Sequence, residues 1–569
     1  MTVADTVPGE SPARESGSVW TRLYYPLVGL FVLLAACFKI EDLDFWWHLK
    51  TGQIILRDWA FQTRDIYSFT AAGSEYLDHE WLFQVIAYLA WSAAGALGVI
   101  LLKCLLLVAL YLLIARFLLH NGASIPLALA LVLLSICGGR TRFIERPELF
   151  SELFLVALYL LIHAYLRTRR AGILALALPI IVVWSNIHAA VVLGLTLELC
   201  FAAGLILESL LAGTGHPAFR HHGKAAVVAL AAVFAASLLV TGINPLGYRV
   251  LKVPFELTRL IDSVVVNNQE WQHPPLQGQP FFYACLAFTF LVMLVDSRRL
   301  QLVNLFLAGF LGYISLKYVR NVAFFSIFMP LLVAPHLKAL SLRLARPRLA
   351  LWAVSAGLLW FIVAANPFLP GIGISPGFPR RLVDFTKAKD LRGNMLNSYG
   401  FGGYLIWTLH PERKVFIDGR NEVYVPLLKQ LKEAASDSRR WTALLRNYGI
   451  EYAILNYVDN LEELTIYDAA GKSVTTYAPF SETHFPRSAW ALVDWDDTGM
   501  ILVRRKGPNQ NLLPLEYASV YPEGEAYQES LAHAGRIDRA AAIGELKRKL
   551  EEDPSCQRAA RLLEAMLKM

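Results

Sequence analysis

Apolar stretches of membrane length alternate with short polar turns over the first two thirds of the chain. They fall near 22 to 40, 98 to 118, 124 to 139, 149 to 166, 172 to 188, 190 to 211, 225 to 243, 281 to 296, 301 to 317, 320 to 336 and 349 to 366. A helix needs roughly 17–25 apolar residues to cross the hydrocarbon core, so the pattern predicts about eleven transmembrane helices. Residues 80 to 95, EWLFQVIAYLAWSAAG, admit two placements: a span, or a helix lying in the interface.

Charge decides between them. With that segment flat, one side of the membrane receives the loops carrying Arg116 and His120, then Arg167, Arg169 and Arg170, then Arg220 and Lys224, then Arg298 and Arg299, then Lys338 through Arg348. Every turn then obeys the positive-inside rule. The N-terminus is cytoplasmic and everything after about Asn366 is outside. From Pro379 the composition turns mixed, and the runs NMLNSY, GYLIWTL, KVFIDGR, YGIEYAILNY and WALVDWDDTGMILVRR read as strand candidates of an outer α/β domain over 371–506. The remaining residues, 507–569, have helical periodicity and an EEDPS break resembling one tetratricopeptide-type pair, which is too little to stack as a solenoid.

Composition agrees with this division. The chain is 56% hydrophobic and 17% charged, with a mean hydropathy of +0.43, more apolar surface than a soluble core can bury. Residues 1–20 are polar, carry both signs of charge and lack a hydrophobic signal core, so they read as a disordered cytoplasmic tail. The net charge of +7 comes from Lys and Arg clustered in the turns between spans, a topology signal and not a nucleic-acid one. Six cysteines without CxxC spacing suggest neither a disulfide framework nor a zinc site.

Polar chemistry collects on the outer face. The long first loop, 41–97, opens with DLDFWWHLK and later reads LDHEWL, offering Asp42, Asp44, His48, His79 and Glu80. Paired carboxylates at a helix end can act as a general base or hold a divalent cation such as Mg or Mn. Equally, Asp42 and Asp44 can end a helix at the water boundary while Trp46 and Trp47 form an aromatic belt. Arg140, Arg142 and Arg146 in GGRTRFIERPE, with Lys317 and Arg320 in LKYVRN, lie against the charge bias. They suit a phosphate or diphosphate, or else pair with Glu145, Glu148 or first-loop acids. WSNIH supplies Asn186 and His188, INPLGYR supplies Asn244 and Tyr248, and QEWQHPP supplies Glu270; with Trp47 and His48 these are the candidate substrate contacts. FIDGRNEVY carries Asp418, Arg420, Asn421 and Glu422 at an expected strand end, as a polar turn or as an acceptor-binding surface. The glycines of SYGFGGY lack a following lysine and make a poor phosphate cradle.

The long first outer loop, the acidic pair after the first span, the flat helix and the outer C-terminal domain together resemble the GT-C superfamily of membrane glycosyltransferases that use polyprenyl-phosphate sugars. The strings DLDFWWHLKTGQIIL, DHEWL, RPELF, WSNIH and VFIDGRNEVY are similar to an uncharacterised bacterial branch of the group that includes protein mannosyltransferases and aminoarabinose transferases. The resemblance covers the membrane part, 21–370. It implies an inverting glycosyltransferase in the bacterial cytoplasmic membrane. Asp44, or Asp42 beside it, would serve as base, with Glu80 and His79 nearby; the HEWL string stands where relatives carry an HPPL-type string, with Glu80 replacing proline. The arginines and Lys317 would hold the donor phosphate. The implied partners are a polyprenyl-phosphate sugar, membrane lipid, and a glycan, lipid or protein acceptor. Two other classes compete. A transporter or flippase for lipid-linked anions would show internal repeats and broken mid-membrane helices, which the sequence lacks; a membrane scaffold would recruit partners through its outer domains.

Overall fold

The computed structural model describes residues 19–263, 269–344, 348–457, 461–467 and 473–569; most of the expected N-terminal tail, 1–20, lies outside the described residues. Five helices are long and apolar enough to cross a membrane: Trp81–His120, Ile125–Arg142, Glu148–Thr168, Val191–Thr214 and Val319–Arg343. Six shorter apolar helices accompany them: Thr21–Ala36, Ala171–Ile187, Lys224–Val240, Pro280–Val295, Leu302–Lys317 and Arg348–Ala364. Each coincides with one of the expected apolar stretches, because runs of Leu, Ala, Val and Phe favour helix and hide their backbone polar groups within it.

Helix Trp81–His120 is not continuous. Ala94 and Gly95 leave helical geometry, Gly95 with φ of 56° and ψ of −138°. Only glycine adopts such a backbone readily, so it separates the amphipathic part from the apolar span after it.

The long first loop folds onto the membrane helices and the C-terminal domain. Helix Phe45–Asp58 begins just after Asp44, whose side chain makes no capping hydrogen bond. The aromatic-belt reading of Trp46 and Trp47 is overturned, since Trp46 is fully buried and Trp47 nearly so. Trp46 packs edge-on against Trp91, Phe378 and Tyr404, so it joins the loop, the amphipathic helix and the outer domain instead of facing lipid. The chain after the last apolar helix returns along the first, through bridges Phe38 to Pro370 and Ile40 to Ile374.

The C-terminal domain holds a four-stranded sheet in the order Asn394–Asn397, Ile450–Asn456, Gly499–Arg504, Trp490–Trp495, the first pair parallel and the others antiparallel. A separate hairpin pairs Leu461–Tyr467 with Ser473–Pro479. Two expected strands are otherwise: GYLIWTL lies in helix Gly402–Leu409, and VFIDGR is an extended segment outside the sheet. The reason for the second is tertiary. Val415 pairs with Tyr67 and Phe69 of the first loop through backbone hydrogen bonds of 3.0 and 3.2 Å, while Asn397 Nδ2 donates to Ile417 O and Asn397 Oδ1 accepts from Phe416 N. The tail forms three helices, Glu525–His533, Arg539–Glu552 and Gln557–Lys568. It packs on the sheet through the buried pair of Lys549 and Asp494, 2.7 Å apart.

Candidate active site

A cavity of about 540 Å³ opens where the first loop, the ends of the membrane helices on the same side and the C-terminal α/β domain meet. Its apolar side comes from Leu193, Phe255, Leu257, Phe310 and Ile314, and its polar side from Asp44, His48, His79, Glu80, Arg146, Glu148, His188, Glu270, Lys317 and Arg320.

The polar side is a chain of ion pairs. Arg146 Nη2 donates to Asp42 Oδ1 at 2.7 Å and to Asp44 Oδ2 at 3.0 Å, while its Nη1 donates to Glu270 Oε2 at 2.9 Å. Arg142 Nη1 donates to Glu270 Oε1 at 2.8 Å, and Arg320 Nη2 to Glu148 Oε1 at 2.7 Å. Arg142, Arg146 and Arg320 are thus paired with acids, as one of the two sequence readings has it, and Arg146 and Arg320 also line the cavity. Guanidinium forks held this way are positioned at little further entropic cost for a bound anion. Against the burial that would raise its pKa, Arg146, Arg142 and Arg320 hold the Glu270 carboxyl well below the ordinary range.

Asp44 differs from its neighbours. Burial pushes its pKa up to about 7, with Arg146 opposing and Asp42 and Glu270 assisting. Its Oδ1 makes no hydrogen bond among the described residues and rests against Gly419, where a Cβ would stand 1.8 Å away. A carboxylate with one oxygen held by a cation, the other unoccupied and a pKa near neutrality is suited to accept a proton.

Glu80 draws three imidazoles together. His79 Nε2 and His188 Nε2 lie 3.5 and 3.8 Å from Oε1, and His48 Nδ1 lies 3.7 Å from Oε2. Burial alone would lower the His79 pKa, but the charge of Glu80 outweighs it and raises it to about 9. His48, stacked on Trp47 at 3.6 Å, is lowered to about 4 by burial and is neutral. His188 Nδ1 shares a 2.8 Å hydrogen bond with Ser151 Oγ.

Several expected site residues lie elsewhere. Arg140 donates to Phe361 O and Ala365 O at the end of an apolar helix and stacks on Phe361, so it is bound by carbonyls away from the cavity. Asn186 is satisfied by Trp81 Nε1, Val182 O and Ile243 O. Asn244 closes its own turn through Thr241 O, Gly247 O and Leu246 N. Tyr248 donates to Leu239 O and is half exposed. Asp42 and Arg142 stand behind the lining residues. Arg146 takes one oxygen each of Asp42 and Asp44, and among the described residues no three His, Cys, Asp or Glu side chains converge as a metal cage.

Sequence reasoning missed Tyr76, Trp271, Tyr318, Tyr399 and Gly419 in the cavity wall. None carries a motif, though FIDGRNEVY did mark the loop to which Gly419 belongs. Arg420 of that loop is buried and donates to Asp418 and, through Nη2 at 2.7 Å, to Asp65 of the first loop.

No protein-family model matches the chain, and no curated protein matches it in sequence. Its structure is similar to the oligosaccharyltransferase of Archaeoglobus fulgidus, with a TM-score of 0.54 at 10% identity, covering 82% of this chain and 75% of that one. Two mycobacterial proteins follow. The arabinofuranosyltransferase AftD matches at 0.47 and 13% identity over 85% of this chain and 41% of its own. The arabinosyltransferase EmbB of Mycobacterium smegmatis matches at 0.40 and 14% identity over 81% and 46%. The fold assignment rests on the archaeal structure. With its apolar helices, this chain is a multi-pass membrane protein, and it shares the fold of that archaeal oligosaccharyltransferase.

Proposed function

We propose that the protein transfers a sugar from a polyprenyl-phosphate donor to an acceptor on the outer face of the cytoplasmic membrane, with eleven membrane crossings, a cytoplasmic N-terminus and the C-terminal domains outside. One observation carries this reading: Asp44, with an unoccupied Oδ1, shares a single cavity with Arg146, Arg320 and Lys317 and with an apolar side formed by membrane helices. The fold likeness to glycosyltransferases supports it.

In the proposed step the acceptor hydroxyl or amine attacks the anomeric carbon, a new bond to that carbon forms, and the bond to the phosphate oxygen breaks. The electron pair leaves with polyprenyl phosphate, and Asp44 Oδ1 takes the acceptor's proton. Arg146, Arg320 and Lys317 stabilise the charge that grows on the departing phosphate. Attack opposite the leaving group inverts the anomeric centre. The acceptor is a glycan, a lipid or a protein side chain.

The test is sugar transfer by the purified full chain from synthetic polyprenyl-phosphate sugars. Asp44→Asn is expected to keep binding of polyprenyl phosphate and lose transfer. Full transfer by this variant would remove Asp44 as the base.

A further inference from the structure

A second hollow lies at the far end of a helix that starts at the cavity. Val319–Arg343 carries Arg320 in the cavity wall and Arg343 about 30 Å further along, the thickness of a bilayer's hydrocarbon core. Its last turns are broken. Pro330 and Pro335 remove two backbone donors, Val322–Leu332 stops, a short turn spans Ala334–His336, and Leu337–Arg343 starts anew. Between this last piece and the end of Pro280–Val295 a groove of about 190 Å³ remains. Phe288, Leu291, Val292 and Val295 form one wall, and Ala339, Leu340 and Arg343 the other. A buried pair ties the walls together: His336 Nδ1 lies 3.1 Å from Asp296 Oδ2, and Arg299 Nη1 donates to both oxygens of Asp296 at 3.1 and 3.2 Å.

Asp296 is thereby neutralised, and the charge left at the rim is positive. Arg343 is exposed and makes no hydrogen bond or ion pair among the described residues. Arg298, Lys338 and Arg348, from the same two helix ends, are exposed as well, and residues 296–300 and 336–348 hold no acid besides Asp296. The apolar wall is open too, with Leu291 and Val295 exposed by 58% and 61%, so in a membrane it meets acyl chains. An apolar trough with a free guanidinium at its rim fits a lipid with an anionic head. Free phosphate would meet the cation and leave the trough empty, while a lipid without net charge would fill the trough and leave the excess positive charge unmatched.

We propose that this groove binds an anionic phospholipid of the leaflet opposite the cavity, with its phosphate on Arg343 and an acyl chain along Leu291, Val292 and Val295. The site is separate from the cavity and does not depend on the sugar-transfer reading.

The experiment counts lipids on the purified full chain by native mass spectrometry. Phosphatidylglycerol, phosphatidylcholine and inorganic phosphate are titrated against the native chain, Arg343→Gln, Ala339→Trp and Arg116→Gln. The native chain is expected to bind one phosphatidylglycerol about fivefold tighter than phosphatidylcholine, the effect of roughly one cation near an anionic head. Arg343→Gln, at an exposed position that folding tolerates, should bring that ratio close to one. Ala339→Trp fills the groove and should release both lipids from it. Arg116→Gln removes an exposed cation that does not line the groove and should keep the ratio within about twofold. A ratio unchanged in Arg343→Gln overturns the proposal. An equal fall in Arg116→Gln overturns it as well, because the attraction would then belong to the basic surface as a whole. So does displacement of the lipid by inorganic phosphate, since the acyl chain would then contribute nothing.

Discussion

Gly419 of the outer domain and Asp44 of the first loop are in contact, and a Cβ at residue 419 would stand 1.8 Å from Asp44 Oδ1. The contact joins parts of the chain more than 370 residues apart, so the position of the proton acceptor depends on how the soluble domain docks. Gly419→Ala must push the carboxylate or the loop aside. Since displacements near 1 Å can cost about 10²-fold in rate, transfer should fall by that order, while the unfolding temperature changes little. Initial-rate assays beside thermal unfolding check both halves.

Asp44 predicts a pH profile. Its pKa is raised to about 7, chiefly by burial, and a base must be deprotonated to act. Transfer is therefore high above pH 7 and falls about tenfold per unit below it. Asp44→Asn should lower the plateau by ~10²–10⁴ and abolish this limb. A limb that survives in the variant would belong to another group.

Arg146 holds Asp42, Asp44 and Glu270 together. Arg146→Ala leaves three carboxylates facing one another with little solvent, and breaking a buried pair from one side costs about 3–5 kcal/mol. Arg146→Lys keeps the charge but cannot reach all three acids, so it should be more stable than the alanine variant and still bind polyprenyl phosphate weakly. Denaturation and lipid titration of the two variants separate stability from binding.

Arg420 and Asp65 fasten the outer domain to the first loop, with neither side chain exposed. A double-mutant cycle of Arg420→Met and Asp65→Leu should show coupling of roughly 0.5–3 kcal/mol, because each single change leaves the other charge buried. Additive effects would mean that the pair does not fasten the domain.

Lys549 and Asp494 do the same for the helical tail. Lys549→Met alone should cost about 3–5 kcal/mol, and adding Asp494→Leu should restore much of it, since an apolar pair of similar volume removes the stranded charge. Limited proteolysis of the tail and thermal unfolding of the full chain measure both.

Much of the fold is legible in the sequence because its signals are local. Apolar runs forced to satisfy their own backbone in lipid must be helices, so the eleven stretches and their helices coincide. Gly95 marks the break in Trp81–His120 for an equally local reason. In the site, acids and arginines that defy the charge bias stand out one by one, and Asp44, Arg146, Glu270 and Arg320 do meet in one cavity. What tertiary structure alone decides is partnership. The charge bias that makes Arg140 and Arg142 look alike cannot tell that one meets helix carbonyls and the other Glu270. Trp46 reads as a membrane anchor until three distant aromatic rings enclose it. VFIDGR reads as a strand until the first loop takes its hydrogen bonds. Tyr399 and Gly419 sit in strings that stand out in the sequence, but nothing local sets them beside Asp44, because that place comes from docking a separate domain. Helices in lipid follow from the chain's own neighbours in sequence; the site follows from contacts between segments hundreds of residues apart.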